Sequence, residues 1–234
     1  MRKINKESRL FLLPRWLFRK FRGQARDDGA GKRELSSGIL SDRVRDGIIA
    51  KARSYPGDLL EIGCGEGIFL KEMMASEGDA GHRLVGLELF FRMLAKTQRV
   101  IGDDRKRLDF VQASGEQMPF RDGSFARVVC VNIFYNIPSM ALLEKIIAEA
   151  GRVLRKDGVF IFEIRNKYNP LMYLLYHWVG SYDTSIGDLP LNTYFYHEIS
   201  RILRRHRLQV IDKKGVFIPL WFLSPVFIIT ARKE

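Results

Sequence analysis

The chain has 234 residues, of which 46% are hydrophobic, and this is enough to form one α/β domain with a modest attachment. Its two cysteines exclude a disulfide framework and favour a reducing, cytoplasmic setting, and no His/Cys cluster has the spacing of a metal site, so we expect no metal ion. The net charge of +12 leaves anionic membranes and nucleic acids as conceivable partners.

The basic excess is concentrated at the start of the chain. Residues 1–26 contain nine Lys/Arg and one acidic residue, whereas the rest of the chain contains 30 basic and 26 acidic residues. Residues 10–22 interleave aromatic and basic side chains, which is typical of a helix that lies on an anionic membrane. Two other interpretations stay open, a helix that caps the ligand pocket and a nucleic-acid contact. Residues 23–38, rich in Gly, Ser and charge, are predicted to be a linker.

We therefore divide the chain into an arm and linker, residues 1–38, and a domain, residues 39–234. Within the domain, strand-like and helix-like patterns alternate, which predicts a mostly parallel sheet with helices on both faces. Helices are predicted near residues 41–54, 67–77, 90–100, 139–155 and 193–206. Strands are predicted near residues 58–63, 83–88, 107–112, 126–132, 158–165, 209–217 and 225–232.

The end of the first predicted strand carries the strongest motif. An apolar run leads to Glu61, and glycines follow at positions 63, 65 and 67. Glycine suits a turn whose backbone must lie against a ligand, and the helix after it offers free N–H donors. A dinucleotide fingerprint would need a third glycine where Ile68 stands, and no P-loop Gly-Lys-Ser/Thr is present. An acid before the turn suits a ligand with a positive charge.

The second strand also ends in an acid. Glu88 lies 25 residues after Gly63, where a carboxylate at the end of the next strand can accept hydrogen bonds from ribose hydroxyls. Together with the blocks at residues 110–125, 126–132 and 142–159, the sequence resembles the class I S-adenosylmethionine-dependent methyltransferases.

The resemblance implies a Rossmann-like, doubly wound sheet of seven strands with the last strand antiparallel, and S-adenosylmethionine as cofactor. Glu61 would orient the methionine end of the cofactor and Glu88 would bind its ribose. A serine stands at position 114, where the family commonly has an aspartate facing the adenine amino group. The cofactor-binding residues implied by the resemblance are Glu61, Gly63, Cys64, Gly65, Gly67, Glu88, Leu89, Ser114, Gly115, Glu116 and Asn132.

Residues for the methyl acceptor are expected after strands four and five, and no single one is assigned as the catalytic base. The main candidates are Tyr135, Asn136, Arg165 and His177, and Glu163 and Asn166 lie in the same region. The Asn132-Ile-Phe-Tyr135 segment partly matches the Asn-Pro-Pro-Tyr of nucleobase-methylating enzymes, but both prolines are missing. Apolar segments at residues 171–178 and 218–225 predict a hydrophobic acceptor pocket, a membrane-facing rim or further core packing.

The sequence therefore predicts a methyltransferase that acts on a small, lipophilic or membrane-associated acceptor. An RNA or nucleobase methyltransferase is the first alternative, and a nonenzymatic cofactor-binding scaffold is the second. The predicted location is the cytoplasm, with peripheral contact to an anionic membrane through residues 1–26 and nucleic acid as the less favoured partner.

Overall fold

The computed structural model describes residues 39–77, 81–101, 107–170, 172, 192–217 and 223–234. The arm and linker of residues 1–38, His177 and the turn of residues 218–222 lie outside these ranges, so the predictions attached to them stay predictions.

Seven strands form one sheet in the order β3-β2-β1-β4-β5-β7-β6. The strands are β1 (Leu59–Ile62), β2 (Leu84–Glu88), β3 (Leu108–Gln112), β4 (Phe125–Cys130), β5 (Leu154–Arg165), β6 (Leu208–Val216) and β7 (Val226–Lys233). β7 runs antiparallel to both of its neighbours, β5 and β6, and the other neighbouring pairs are parallel. The predicted seven-stranded doubly wound sheet with an antiparallel last strand is confirmed.

The described helices are α1 (Ile39–Ala52), α2 (Ile68–Glu77), α3 (Phe91–Ile101), α4 (Met140–Val153) and α5 (Tyr196–Arg205), with a short 3-10 helix at Phe134–Asn136. Each agrees with a predicted helix to within three residues. The helix α4 begins at a serine cap, because the Ser139 side chain accepts a hydrogen bond from the Leu142 backbone N–H at 3.2 Å. No helix in the described part of the chain is both long and apolar enough to cross a membrane.

The fifth strand starts earlier than the sequence pattern predicts. The helix before it ends at Val153 instead of residue 155, because Leu154 is already extended and pairs with Phe125 of β4. Asp157 then takes a left-handed conformation with φ of 63°. At the next residue, Gly158, a Cβ would lie 2.9 Å from the Arg155 carbonyl oxygen and 3.0 Å from that of Ala126. The close approach of these backbones therefore requires glycine.

The sheet separates two hydrophobic cores. On one face, Phe160 and Phe162 of β5 pack with α4 and α5, and on the other face Ile161 packs with Val44 and Ile48 of α1. Because side chains alternate along a strand, Glu163 and Arg165 share the face of Ile161 and lie on the α1 side of the sheet. The carboxyl ends of the parallel strands meet at one edge, where ligands bind in open α/β sheets. We call this the carboxyl edge.

Candidate active site

The glycine turn after β1 has the unusual backbone that the motif predicts. Gly63, Gly65 and Gly67 have φ values of 71°, 53° and 75°, which side chains rarely tolerate. A Cβ on Gly63 would lie 2.7 Å from the Ile133 side chain, and one on Gly67 would lie 2.4 Å from that of Thr97. The turn is therefore packed between α3 and the segment after β4. Because three of its residues are glycines, a ligand could approach its backbone closely.

Glu88 holds this turn to the start of α3. Its carboxylate is 6% exposed and accepts hydrogen bonds from the backbone N–H groups of Gly65 at 2.9 Å and Phe90 at 3.0 Å. A carboxylate has about four acceptor positions, so two remain for the hydroxyls of a ribose. The sequence predicted only the ligand contact, whereas the structure adds a role in shaping the turn itself.

Glu61 is a buried carboxylate on the α1 side of β1. Its Oε2 atom has no hydrogen-bond partner among the described residues. Burial and the nearby charge of Glu88 raise its pKa well above the usual value, although Arg45 on α1 acts in the opposite direction. A buried acid with a spare acceptor position fits a cationic ligand group, because such a group would supply both the charge and the hydrogen bond that Glu61 lacks.

The turn after β3 comes close to the same ends of β1 and β2. The Ala113 N–H donates to the Glu88 carbonyl at 3.1 Å, and a Cβ on Gly115 would lie 3.1 Å from the Ile62 side chain. The Ser114 hydroxyl faces the backbone N–H of Glu116 at 3.4 Å, and Leu89 is 53% exposed. The residues that were predicted for the adenine therefore lie beside the ends of β1 and β2.

Cys64 lies in the glycine turn and Cys130 in β4, and both are buried free thiols. Burial is the largest cause of the raised pKa of each thiol, and nearby carboxylates add to it. Because a thiol acts as a nucleophile through its thiolate, these cysteines are suited to packing and not to covalent chemistry.

On the acceptor side, three predicted residues meet. Asn132 follows β4 in a left-handed conformation with φ of 57°, and its Oδ1 atom accepts a hydrogen bond from the Arg165 guanidinium at 3.0 Å. The Asn132 amide donates to the Ser41 carbonyl of α1 at 3.3 Å. The Arg165 guanidinium lies over the Tyr135 ring, 4.6 Å from its centroid. This group ties the ends of β4 and β5 to the start of α1.

Glu163 lies two residues before Arg165 on the same face and is 1% exposed. Neither of its carboxylate oxygens has a well-formed hydrogen bond among the described residues, although the backbone N–H groups of Asn132 and Glu163 lie near them. Burial raises its pKa to about 7, while the charge of Arg165 and the backbone N–H groups of Asn132 and Glu163 act against this rise. In the sequence, Glu163 stands out as the single acid in the apolar run of residues 159–164. The pattern alone could not show which residues pack around its carboxylate.

The other candidates are arranged differently. Asn136 is placed in the 3-10 helix, and its Oδ1 atom has no partner in the described part of the chain. The buried Asn166 amide donates to the Ser224 carbonyl at 2.8 Å, so it joins β5 to the segment before β7. The sequence reasoning missed Tyr168, whose hydroxyl lies 2.7 Å from Nδ1 of His197. In the sequence, Tyr168 is recognisable as an aromatic residue shortly after the end of β5.

Comparison with known proteins finds similarity to methyltransferases. Residues 60–162 match the family model described as a methyltransferase domain. A malonyl-[acyl-carrier protein] O-methyltransferase of Legionella pneumophila is 30% identical over 46% of this chain and 36% of its own length. A ubiquinone/menaquinone biosynthesis C-methyltransferase of Methylobacterium nodulans is 31% identical over 55% of this chain and 51% of its own length. The chain thus spans about a third to a half of these two relatives.

Among solved structures, the 1,6-didemethyltoxoflavin-N1-methyltransferase of Burkholderia thailandensis has a similar fold. It was crystallised with 1,6-didemethyltoxoflavin and S-adenosylhomocysteine bound. It superposes with a TM-score of 0.60 over 100% of this chain and 93% of its own, at 16% sequence identity. At this identity the likeness concerns the fold alone.

Proposed function

The chain belongs to the class I S-adenosylmethionine-dependent methyltransferases, and from this premise we propose that it transfers the methyl group of that cofactor to a small lipophilic acceptor. One observation carries the proposal for the cofactor. The buried carboxylates of Glu61 and Glu88 flank a glycine turn that exposes its backbone, and Glu61 keeps an unused acceptor atom. This donor and acceptor set fits a cationic amino acid joined to a nucleoside.

S-adenosylmethionine, when bound, supplies an electrophilic methyl group. Glu61 would hold its methionine end, the backbone of Gly63 and Gly65 would lie against it, and Glu88 would accept from its ribose hydroxyls. Because methyl transfer is a direct displacement, the main work of these residues is to fix the position and orientation of the reactants.

Exposed apolar side chains at the carboxyl edge support a lipophilic acceptor. In the described part of the chain, seven of the eight large apolar side chains that are exposed belong to segments at this edge, and Ile211 is the exception. The seven are Leu89, Phe90, Phe91, Met140, Tyr168, Phe217 and Leu223. Such a concentration is typical of a surface that meets an apolar partner. The names of two relatives, which refer to quinone and acyl-carrier substrates, agree with this chemistry.

The proposal predicts that a labelled methyl group enters an apolar product. The protein would be incubated with S-adenosylmethionine carrying a radioactive methyl group, together with either a short-chain hydroxylated quinol or bulk transfer RNA. We expect label in the organic extract with the quinol and none in precipitated RNA. Label in RNA alone would favour a nucleic-acid methyltransferase, and failure of wild-type protein to bind S-adenosylhomocysteine in calorimetry would favour a scaffold without enzymatic activity.

We also propose peripheral contact with an anionic membrane, because the basic arm and the apolar carboxyl edge are together suited to an interface. Phe90 and Phe91 are 58% and 67% exposed next to the glycine turn. Replacing both by serine is expected to lower binding to vesicles of phosphatidylglycerol and phosphatidylcholine about tenfold, since two exposed aromatic side chains lose contact with the bilayer. Flotation measures this binding.

The matched control for flotation is Ile211→Ser, which removes an exposed apolar side chain in the middle of β6. This variant should float like wild type. Equal flotation of the Phe90/Phe91 variant and the control would contradict membrane contact at the carboxyl edge.

A further inference from the structure

We propose that Glu163 takes the proton from a hydroxyl group of the acceptor, of the phenol or enol type, and that Arg165 stabilises the oxygen anion formed. The inference rests on the proposed methyl transfer and adds to it a base and an acceptor class.

The strand register places Glu163 beside the cofactor residues. Glu61 of β1 pairs with Val129 of β4, and Val129 pairs with Ile161 of β5. Since Glu163 follows Ile161 by two residues, it lies on the same face as Glu61 and one step closer to the carboxyl edge. Two strand spacings separate β1 from β5, or about 10 Å. Asn132 and Ile133, which follow β4, connect the two sites. The Ile133 side chain would contact a Cβ on Gly63, and the Asn132 side chain accepts a hydrogen bond from Arg165.

The surroundings of Glu163 are those of a group that awaits a partner. A fully buried carboxylate normally accepts hydrogen bonds or pairs with a cation, because removing it from water is costly. The oxygens of Glu163 have no well-formed hydrogen bond within the described part of the chain, although the backbone N–H groups of Asn132 and Glu163 are near enough to favour the charged form. One N–H group of the Arg165 guanidinium donates to Asn132. A hydroxyl that donates to Glu163 would supply the missing bond.

Among the described residues, few charged or titratable groups face Glu163. Arg165 on β5 favours its charged form, whereas the buried thiol Cys130 on β4 pairs with Phe162 and so lies on the other face of the sheet. Across the same face are Glu61 on β1 and Arg45 on α1, and Arg45 is engaged with Asp42 and Glu72. The β7 residues paired with Glu163 and Arg165 are Ile228 and Val226, which carry no charge. Arg165 is therefore the cation best placed to stabilise an anion next to Glu163.

The proton step follows from these positions. The O–H bond of the acceptor breaks, its proton passes to a carboxylate oxygen of Glu163, and the oxygen keeps the electron pair. This pair would form the new bond to the methyl carbon as the bond from that carbon to the cofactor sulfur breaks, and the sulfur would leave with the electrons of the broken bond. The positive charge of Arg165 lowers the energy of the oxygen anion before that bond forms. With a pKa of about 7, Glu163 is partly ionised at neutral pH, which suits a general base.

The test compares wild type with Glu163→Gln in methylation of the hydroxylated quinol, with the rate measured from pH 5 to pH 9. For wild type, we expect kcat to rise with pH and level off above about pH 7, because only the ionised carboxylate accepts a proton. The glutamine variant should lose about 100-fold or more in kcat together with this pH dependence. Its affinity for S-adenosylhomocysteine should stay within about threefold of wild type, since the amide keeps the size of the side chain.

Two further variants separate catalysis from structure. Arg165→Met should lower kcat more than Arg165→Lys, which keeps the positive charge. Asp109→Asn alters an exposed carboxylate on β3 and should leave the rate and its pH profile unchanged.

Unfolding provides a control for the fold. Because burial raises the pKa of Glu163 in the folded state, ionisation destabilises wild type as pH rises from the unfolded pKa to about 7. Glu163→Gln should therefore unfold at a higher temperature than wild type at pH 8, and the gain should be smaller at pH 5. A variant that gains stability while losing kcat supports a role in proton transfer.

The inference is overturned if Glu163→Gln keeps the wild-type rate and pH profile. It is also overturned if wild type binds S-adenosylhomocysteine but methylates only acceptors that lack a hydroxyl group. Absence of S-adenosylhomocysteine binding by wild type is a different result, because it would refute the proposed function itself.

Discussion

Replacing Glu88 by alanine is expected to weaken S-adenosylhomocysteine binding about 100-fold. The substitution removes the expected ribose contacts, and charge-assisted hydrogen bonds of this kind contribute about 1.5–3 kcal/mol each. It also removes the acceptor for the Gly65 and Phe90 N–H groups, so the glycine turn loses one of its links to the segment that starts α3. Calorimetry at constant pH measures the change, which corresponds to about 2.7 kcal/mol.

Two variants of the same position separate these contributions. Glu88→Asp keeps the charge and should retain more affinity than alanine, since the family commonly has aspartate here. Asp109→Ala removes an exposed acid on β3 and should leave the affinity unchanged. If Glu88→Ala binds S-adenosylhomocysteine as tightly as wild type does, the ribose assignment is wrong.

Replacing Arg127 by methionine is expected to lower the free energy of unfolding by about 3 kcal/mol. Arg127 is at the start of β4 and is 1% exposed. Its guanidinium donates to the carbonyls of Ala52, at the end of α1, and of Gly57, in the turn before β1. Methionine fills a similar volume but leaves the buried Ala52 carbonyl and the partly buried Gly57 carbonyl without this donor, and each lost bond costs about 1–3 kcal/mol. The positive charge of Arg127 also stabilises α1, because it lies at the carboxyl end of that helix, where the helix dipole is negative.

Urea unfolding of Arg127→Met and a matched control tests this expectation. Arg83→Met removes a side chain that is 56% exposed and paired with Asp109, and exposed pairs of this kind contribute at most about 1 kcal/mol. The midpoint should therefore move much further for Arg127 than for Arg83. Similar shifts in the two variants would mean that Arg127 does not join α1 to the sheet as the geometry indicates.

Much of the fold could be predicted because its local signals agree. The central strands are mostly apolar and are buried along their whole length, as expected where both faces of a parallel sheet are covered. Ser139 marks the start of α4. Among the described elements, the one notable shift is the earlier start of β5, where the pairing of Leu154 with Phe125 of β4 extends the strand. Such pairing depends on a distant partner, so local periodicity does not encode it.

The site could be predicted only where a motif sits at a strand end. Glu61 and Glu88 could be predicted as site residues because each follows an apolar run, and the ends of parallel strands meet at one edge. The bonds from Gly65 and Phe90 to Glu88 depend on how the turn folds back over β2, and spacing does not specify that path. Arg127 gave no signal at all, because a basic residue near a strand end is usually exposed.

The sequence by itself determined the class of the fold, the family and the glycine turn with its two acids. These follow from periodicity, from the conformations that only glycine tolerates and from the order of the blocks along the chain. Only the tertiary structure decided that Arg165 lies next to Glu163, Asn132 and Tyr135 and that Asn132 bonds to the start of α1. The physical reason is that alternation tells which residues share a face, whereas strand order and helix packing decide what that face meets.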